Sequence, residues 1–153
     1  MTVTRRDDYE SLERSLRFMA ALKDLPKCAE FLLENLPAPF KKLKRKIELG
    51  LEEQLVNILR HAYSFRGGPV RISRGIVYFD SKPALRVSIQ DWGRPFNPFT
   101  DAGKPDLKSP AQERREGGLG IHLVRSFSSH CLYSRALGSN LSEFLFFPED
   151  SKT

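Results

Sequence analysis

An α+β fold, a two-layer sandwich with helices packed on one face of a mixed β-sheet, is what the order of segments in this sequence predicts. Three observations carry it. Phe40, Leu43, Ile47, Leu51, Leu55, Ile58, Ala62 and Phe65 recur at steps of three and four, one unbroken helical stripe. Alternating apolar segments follow, Val70 with Ile72 and then Leu85, Val87 and Ile89, each the mark of a half-buried strand. The chain closes on two further strands, 132–137 and 141–147, joined at Gly138-Ser139-Asn140. Helices precede strands, and a long loop and one more helix separate the strands from the hairpin.

Residues 1–10 are polar and read as a flexible N-terminus. Leu12, Leu16, Phe18, Met19 and Leu22 lie among arginines, and their period fits a helix and a strand equally. Lys23-Asp24-Leu25-Pro26 marks a helix start, with Asp24 or a neighbour as cap and Pro26 in the first turn. Ala29, Phe31, Leu32, Leu33 and Leu36 form its apolar side, and Pro37 and Pro39 stop it. The striped helix begins near Phe40 and ends at Gly67-Gly68-Pro69. After Val70 and Ile72 comes a short apolar run at 76–79, and Lys82-Pro83 is the expected turn before the alternation at 85–89. Segment 94–116 has four prolines, mixed charge and no apolar period, and a loop of about 20 residues in a compact domain is usually a functional one. It leads into Gly117-Gly118-Leu119-Gly120 and then Ile121, Leu123, Val124 and Phe127, a helix.

A length of 153 residues suits one domain, here 11–148 with a tail at 149–153, and eleven Phe and one Trp provide core bulk that a disordered chain lacks. No segment approaches the roughly 18–20 apolar residues of a membrane span, and the first residues carry no hydrophobic signal core. Cys28 and Cys131 stand too far apart for a metal cluster and suggest no disulfide framework, so a reduced cytoplasmic setting is expected. The net charge of +6 and pI of about 9.5 invite a nucleic-acid reading. Five of those positive charges, however, are Lys41, Lys42, Lys44, Arg45 and Lys46, and without them the chain is nearly neutral. The basicity is local, either a solvated helix face or a contact for an acidic partner, and direct nucleic-acid binding is not expected.

Three motifs carry chemistry. Glu53, Asn57 and His61 recur every four residues and share one side of the long helix. A carboxylate and an amide one turn apart suit a magnesium-phosphate site, because Mg²⁺ takes hard oxygen ligands and keeps most of its waters. Asp91-Trp92-Gly93 follows a strand, where an acid can accept an adenine amine and a glycine lets the backbone pass close to a flat ring. Gly117, Gly118, Leu119 and Gly120 open a helix, where backbone N–H groups and the helix dipole favour a phosphate. Each alone has an ordinary explanation: a wet helix face, an Asp-x-Gly turn, a glycine-rich loop. Neither the Walker pattern nor the dinucleotide glycine fingerprint is present.

Taken in order, Glu-x-x-x-Asn on a helix, Asp-x-Gly after a strand and Gly-Gly-x-Gly before a helix resemble the Bergerat, or GHKL, ATPase fold of gyrase, Hsp90, histidine kinases and MutL. Within it, 51–63 (Leu-Glu-Glu-Gln-Leu-Val-Asn-Ile-Leu-Arg-His-Ala-Tyr), 91–98 (Asp-Trp-Gly-Arg-Pro-Phe-Asn-Pro) and 117–124 (Gly-Gly-Leu-Gly-Ile-His-Leu-Val) are similar to the anti-sigma factor serine/threonine kinases. Tyr133-Ser134-Arg135 and Gly138-Ser139-Asn140 resemble that family's last hairpin, and the likeness runs over about 12–147. Ser128-Ser129 depart from it, standing where relatives usually carry an acid.

The resemblance implies roles. Asn57 holds Mg²⁺ against the ATP phosphates, and Glu53 is the general base for a substrate serine. Asp91 binds the adenine amine above Gly93, with Ser142 near the same pocket. Segment 94–116 is the ATP lid, and Gly117, Gly118, Leu119 and Gly120 meet the phosphates. Arg114 and Arg115 are either phosphate contacts or solvated lid residues, and His61 is a packing residue. Implied partners are a STAS-domain anti-anti-sigma protein as substrate, a sigma factor that is sequestered, and a second copy of the chain in a homodimer. The alternative is a non-catalytic ATP-binding module. A detached histidine kinase catalytic domain is disfavoured, since His61, His122 and His130 all fall within the ATPase segment.

Overall fold

The computed structural model describes residues 14–101 and 130–148. Five strands, β1 (Arg14–Met19), β2 (Pro69–Phe79), β3 (Lys82–Asp91), β4 (His130–Ala136) and β5 (Ser139–Phe146), form one sheet in the order β1-β2-β3-β5-β4. Two helices, α1 (Leu25–Leu33) and α2 (Lys44–Asn57), lie between β1 and β2 in the chain and cover one face. The α+β architecture follows from the order of segments, but every pairing among the described residues is antiparallel, where a mixed sheet was expected.

The ambiguous segment before residue 22 is a strand. Arg14, Leu16 and Phe18 turn inward while Ser15, Arg17 and Met19 are exposed, the period-two pattern that pairing with β2 imposes. Asp24 does occupy the cap position of α1 with Pro26 in the first turn, but its side chain makes no cap bond. Its backbone N–H instead bonds the Ala21 carbonyl at 2.9 Å, closing a short 3-10 turn. α1 stops at Leu33, before the prolines, and Asn35 turns the chain with φ 53°. Leu36 is still buried, delivered by that turn rather than by the helix.

The long stripe begins in a 3-10 segment, Ala38–Leu43, before α2 proper. Side chains three apart eclipse in that geometry, so Phe40 and Leu43 both point into the core. After Asn57 the helix widens into a π turn, Ile58–Ala62, closed by the Tyr63 N–H on the Ile58 carbonyl at 3.1 Å. Every stripe residue through Ala62 is buried. Phe65 is the exception at 62 % exposed, because Ser64 and Phe65 leave the helix at φ 50° and 61°.

Helix and sheet meet through Leu32, Leu51, Leu55 and Ile58 on one side and Val70, Ile72, Leu85, Val87, Ile89, Phe144 and Phe146 on the other. Amid these apolar side chains lies Arg74, 2 % exposed, whose guanidinium donates to the Leu32 carbonyl in the last turn of α1. The cation meets the negative end of the helix dipole and a carbonyl with no helical partner. Two-residue turns join the hairpins. Asp80 and Ser81 (φ 48° and 65°) link β2 to β3, so Lys82 and Pro83 belong to the strand rather than to the expected turn. Leu137 and Gly138 (φ 50° and 77°) link β4 to β5, which places Ser139 and Asn140 in the strand as well.

Candidate functional site

The site grows from the meeting of three chain ends: the C-terminal turn of α2, the end of β3 and the start of β5. Gln54, 1 % exposed, donates from Nε2 to Ser142 Oγ on β5 at 3.0 Å. Two turns later the Ala62 carbonyl, left free by the helix end, accepts the Arg94 N–H at 3.0 Å. Asn57 stands between these two contacts along the same stretch of helix. It is 2 % exposed, and its Nδ2 has no partner among the described residues; Gln54 Oε1 is likewise without one. Buried polar atoms are nearly always satisfied, so unpartnered ones at a helix face mark where a polar ligand belongs. Glu53 is half-buried, one turn before Asn57.

Asp91 ends β3 with 3 % exposure. Burial pushes its carboxyl above the ordinary range, against the opposing effect of its hydrogen bonds and of Arg135. Oδ1 accepts from the Gly93 N–H at 3.0 Å and from Asn140 Nδ2 at 2.9 Å. Asn140 lies directly across the ladder from Asp91, on β5. It also donates to the Arg94 carbonyl at 2.8 Å, while its Oδ1 accepts from the Tyr133 hydroxyl at 2.6 Å and from Arg135 at 3.0 Å. Arg135 reaches on to the Gly93 carbonyl at 2.8 Å. Tyr63 fixes the other side of the turn, its hydroxyl donating to the Pro69 carbonyl at 2.6 Å and accepting the Trp92 N–H at 2.9 Å.

The structure thus joins the helix that carries Glu53 and Asn57 to Ser142, through Gln54, and its continuation at Ala62 to the Asp91-Trp92-Gly93 turn. Gly117, Gly118, Leu119 and Gly120, most of the 94–116 segment with Arg114 and Arg115, and Ser128-Ser129 lie outside the described residues. His61 is stacked on Phe96, rings 4.5 Å apart and 15° from parallel, and burial beside Arg60 pulls its pKa down; both fit a packing role. Trp92 points to the opposite side of the sheet from Asp91, where Arg17 and Arg71 lie over its ring at 4.7 and 5.8 Å. Among the described residues no group of three or more His, Cys, Asp or Glu forms a metal cluster, and Cys28 and Cys131 form no disulfide, with burial raising the Cys28 thiol to about 11.

Three residues of the site were not visible as such in the sequence: Asn140, Gln54 and Tyr63. Asn140 in Gly138-Ser139-Asn140 reads as a turn residue, and only the two-residue turn at Leu137-Gly138 moves it into register with Asp91. Gly93 proves to be constrained by protein as well. A Cβ there would come within 2.5 Å of the Ala62 carbonyl oxygen and 2.7 Å of the Ala62 Cβ. Gly93→Ala is therefore expected to push the turn off the helix end and lower stability by about 1–3 kcal/mol. A urea titration checks it, and an unchanged midpoint would contradict the contact.

The donor set suits magnesium and a nucleotide. Asn57 offers one hard amide oxygen, enough for an ion that retains most of its waters, with the Glu53 carboxylate one turn away, and Asp91 offers a carboxylate oxygen beside a tightly held turn. No helix among the described residues is long and apolar enough to cross a membrane. A search of curated proteins finds no significant match. Among solved structures, the chain is similar to the Acinetobacter baumannii histidine kinase AdeS, at 13 % identity and TM-score 0.46 over 90 % of this chain and 70 % of that one. It is also similar to the histidine kinase domain from the Erythrobacter litoralis EL346 blue-light activated histidine kinase, at 17 % identity and TM-score 0.44, over 83 % of this chain and 58 % of that one. The family described as the histidine kinase-like ATPase domain matches residues 13–142, most of the chain, and the protein belongs to that family.

Proposed function

We propose that this domain is an ATP-dependent serine/threonine protein kinase that acts as an anti-sigma factor. The observation that supports the reading is the placement of Glu53 and Asn57 on successive turns of α2, between Gln54, which bonds Ser142 on β5, and Ala62, which bonds Arg94 just after Asp91. Asp91 accepts the exocyclic amine of adenine. Asn57 holds a magnesium ion through its amide oxygen. A magnesium ion held there would supply charge neutralisation for phosphoryl transfer, which asks mainly for positioning. Glu53 takes the proton of a serine hydroxyl as that oxygen bonds to the γ-phosphorus and ADP leaves. Gly117, Gly118, Leu119 and Gly120 are assigned to the phosphates on the resemblance of their motif. The serine belongs to a STAS-domain anti-anti-sigma protein, a sigma factor is the sequestered partner, and a homodimer is the form that grips it. The site of action is the cytoplasm.

Incubation with ATP, magnesium and candidate STAS proteins is expected to yield phosphoserine on one of them. ATP binding without phosphoserine on any would leave a non-catalytic nucleotide-binding module instead. Asn57→Ala is expected to lose magnesium-dependent ATP binding, measured by calorimetry. Equal affinities for variant and wild type in the presence of magnesium would overturn the metal assignment.

A further inference from the structure

The Asn140 side chain, 1 % exposed, has only one possible orientation. The Phe96 N–H (3.4 Å) and the Arg135 guanidinium (3.0 Å) can only donate, so they fix its oxygen, while the Arg94 carbonyl (2.8 Å) can only accept and fixes its nitrogen. The nitrogen therefore also donates to Asp91 Oδ1, which has the Gly93 N–H as its second donor. Asp91 Oδ2 is left with no protein donor among the described residues.

We propose that Asn140 is a positioning residue that selects the base: by holding Asp91 Oδ1 it presents Oδ2 as a fixed acceptor, which receives the exocyclic amine of adenine and repels the keto oxygen of guanine. This rests on the reading of Asp91 as a base-binding residue. The same amide bonds Arg94 and Phe96, so base recognition and the start of the 94–116 segment share one side chain.

Asn140→Asp separates this role from mere support. The substitution keeps the acceptor for Tyr133, Arg135 and Phe96 and removes the donor to Asp91 and Arg94. The other charged and titratable groups around the pair are Arg135, Arg94, Tyr133, Tyr63 and His61, which is stacked on Phe96, and the substitution leaves all of them in place. With both carboxyls ionised at pH 8, ATP affinity is expected to fall about ten-fold or more and the preference for ATP over GTP to shrink. As pH falls, the introduced carboxyl takes up a proton and donates to Asp91 Oδ1 again, so the variant's affinity rises. Wild-type Asn140 has no carboxyl to take up a proton, so this rise with falling pH is expected in the variant alone. Calorimetry with ATP and with GTP at pH 8 and pH 5.5 on the full chain reads this.

Wild-type affinity and an unaltered pH slope in Asn140→Asp would overturn the proposal while leaving the ATP site standing. Failure of the wild type to bind either nucleotide would remove the site itself and the proposal with it. If the variant does not fold, the wild-type chain still decides. The Asn140 side-chain NH₂ resonances are expected to shift on adding AMP while those of exposed Asn35 stay, and unmoved Asn140 resonances with AMP bound would overturn it.

Discussion

Glu53→Ala retains ATP and loses phosphotransfer, by about 10²–10⁴-fold, the usual contribution of a positioned general base. The separation is sharp because the side chain is half-buried and lies outside the buried set of α2, which is Ile47, Gly50, Leu51 and Leu55 with Gln54 and Asn57. Alanine is the best helix former, so the backbone that carries Asn57 is left in place. The nucleotide contacts assigned to Asn57 and Asp91 do not pass through Glu53. Single-turnover transfer to a STAS protein, with ATP affinity measured alongside, checks both halves. Loss of affinity together with transfer would reassign Glu53 to binding, and Glu53→Gln, which keeps the shape without the basic carboxylate, is expected to match the alanine variant.

The largest effect on stability is expected from Phe40→Ala, about 3–5 kcal/mol. Phe40 is 0 % exposed, at the head of the stripe that joins the helical layer to the core. Whole-domain stabilities are about 5–15 kcal/mol, so this one ring accounts for a large part of the total. Phe65→Ala is the natural control. It belongs to the same periodic series, yet at 62 % exposed, with Arg60 5.9 Å from its ring centroid, it is expected to change stability by less than about 1 kcal/mol. Urea midpoints for the pair compare the helical stripe as written with the helix as folded.

That contrast shows how far periodicity reaches. Steps of three and four identify the buried face from Phe40 to Ala62 correctly because side chains at those steps share one side of any helical backbone. They do not register that the chain passes through 3-10, α and π geometry in succession, nor that it leaves the helix before Phe65, since left-handed residues such as Ser64 carry no local mark. The segment at 14–19 shows the converse. Its composition suits either element, and partnership with β2 decides for a strand. Arg74 lies beyond any local rule, being tolerated in an apolar face only because the end of α1 offers it a carbonyl.

For the site, the residue types and spacings Glu53, Asn57, Asp91 and Gly93 were legible because each motif is contiguous in the chain and its chemistry is carried by a few adjacent residues. The α+β class was legible from the order of helical and alternating segments, which is itself a property of the sequence. Antiparallel pairing throughout the described sheet, the burial of Asn57 and the Asn140 clamp on Asp91 were decided by the tertiary structure alone. Their physical reason is that each joins segments far apart in the chain: for the clamp, 49 positions separate Asp91 from Asn140, and only a two-residue turn at Leu137-Gly138 and the β3–β5 register bring an amide donor to that carboxylate.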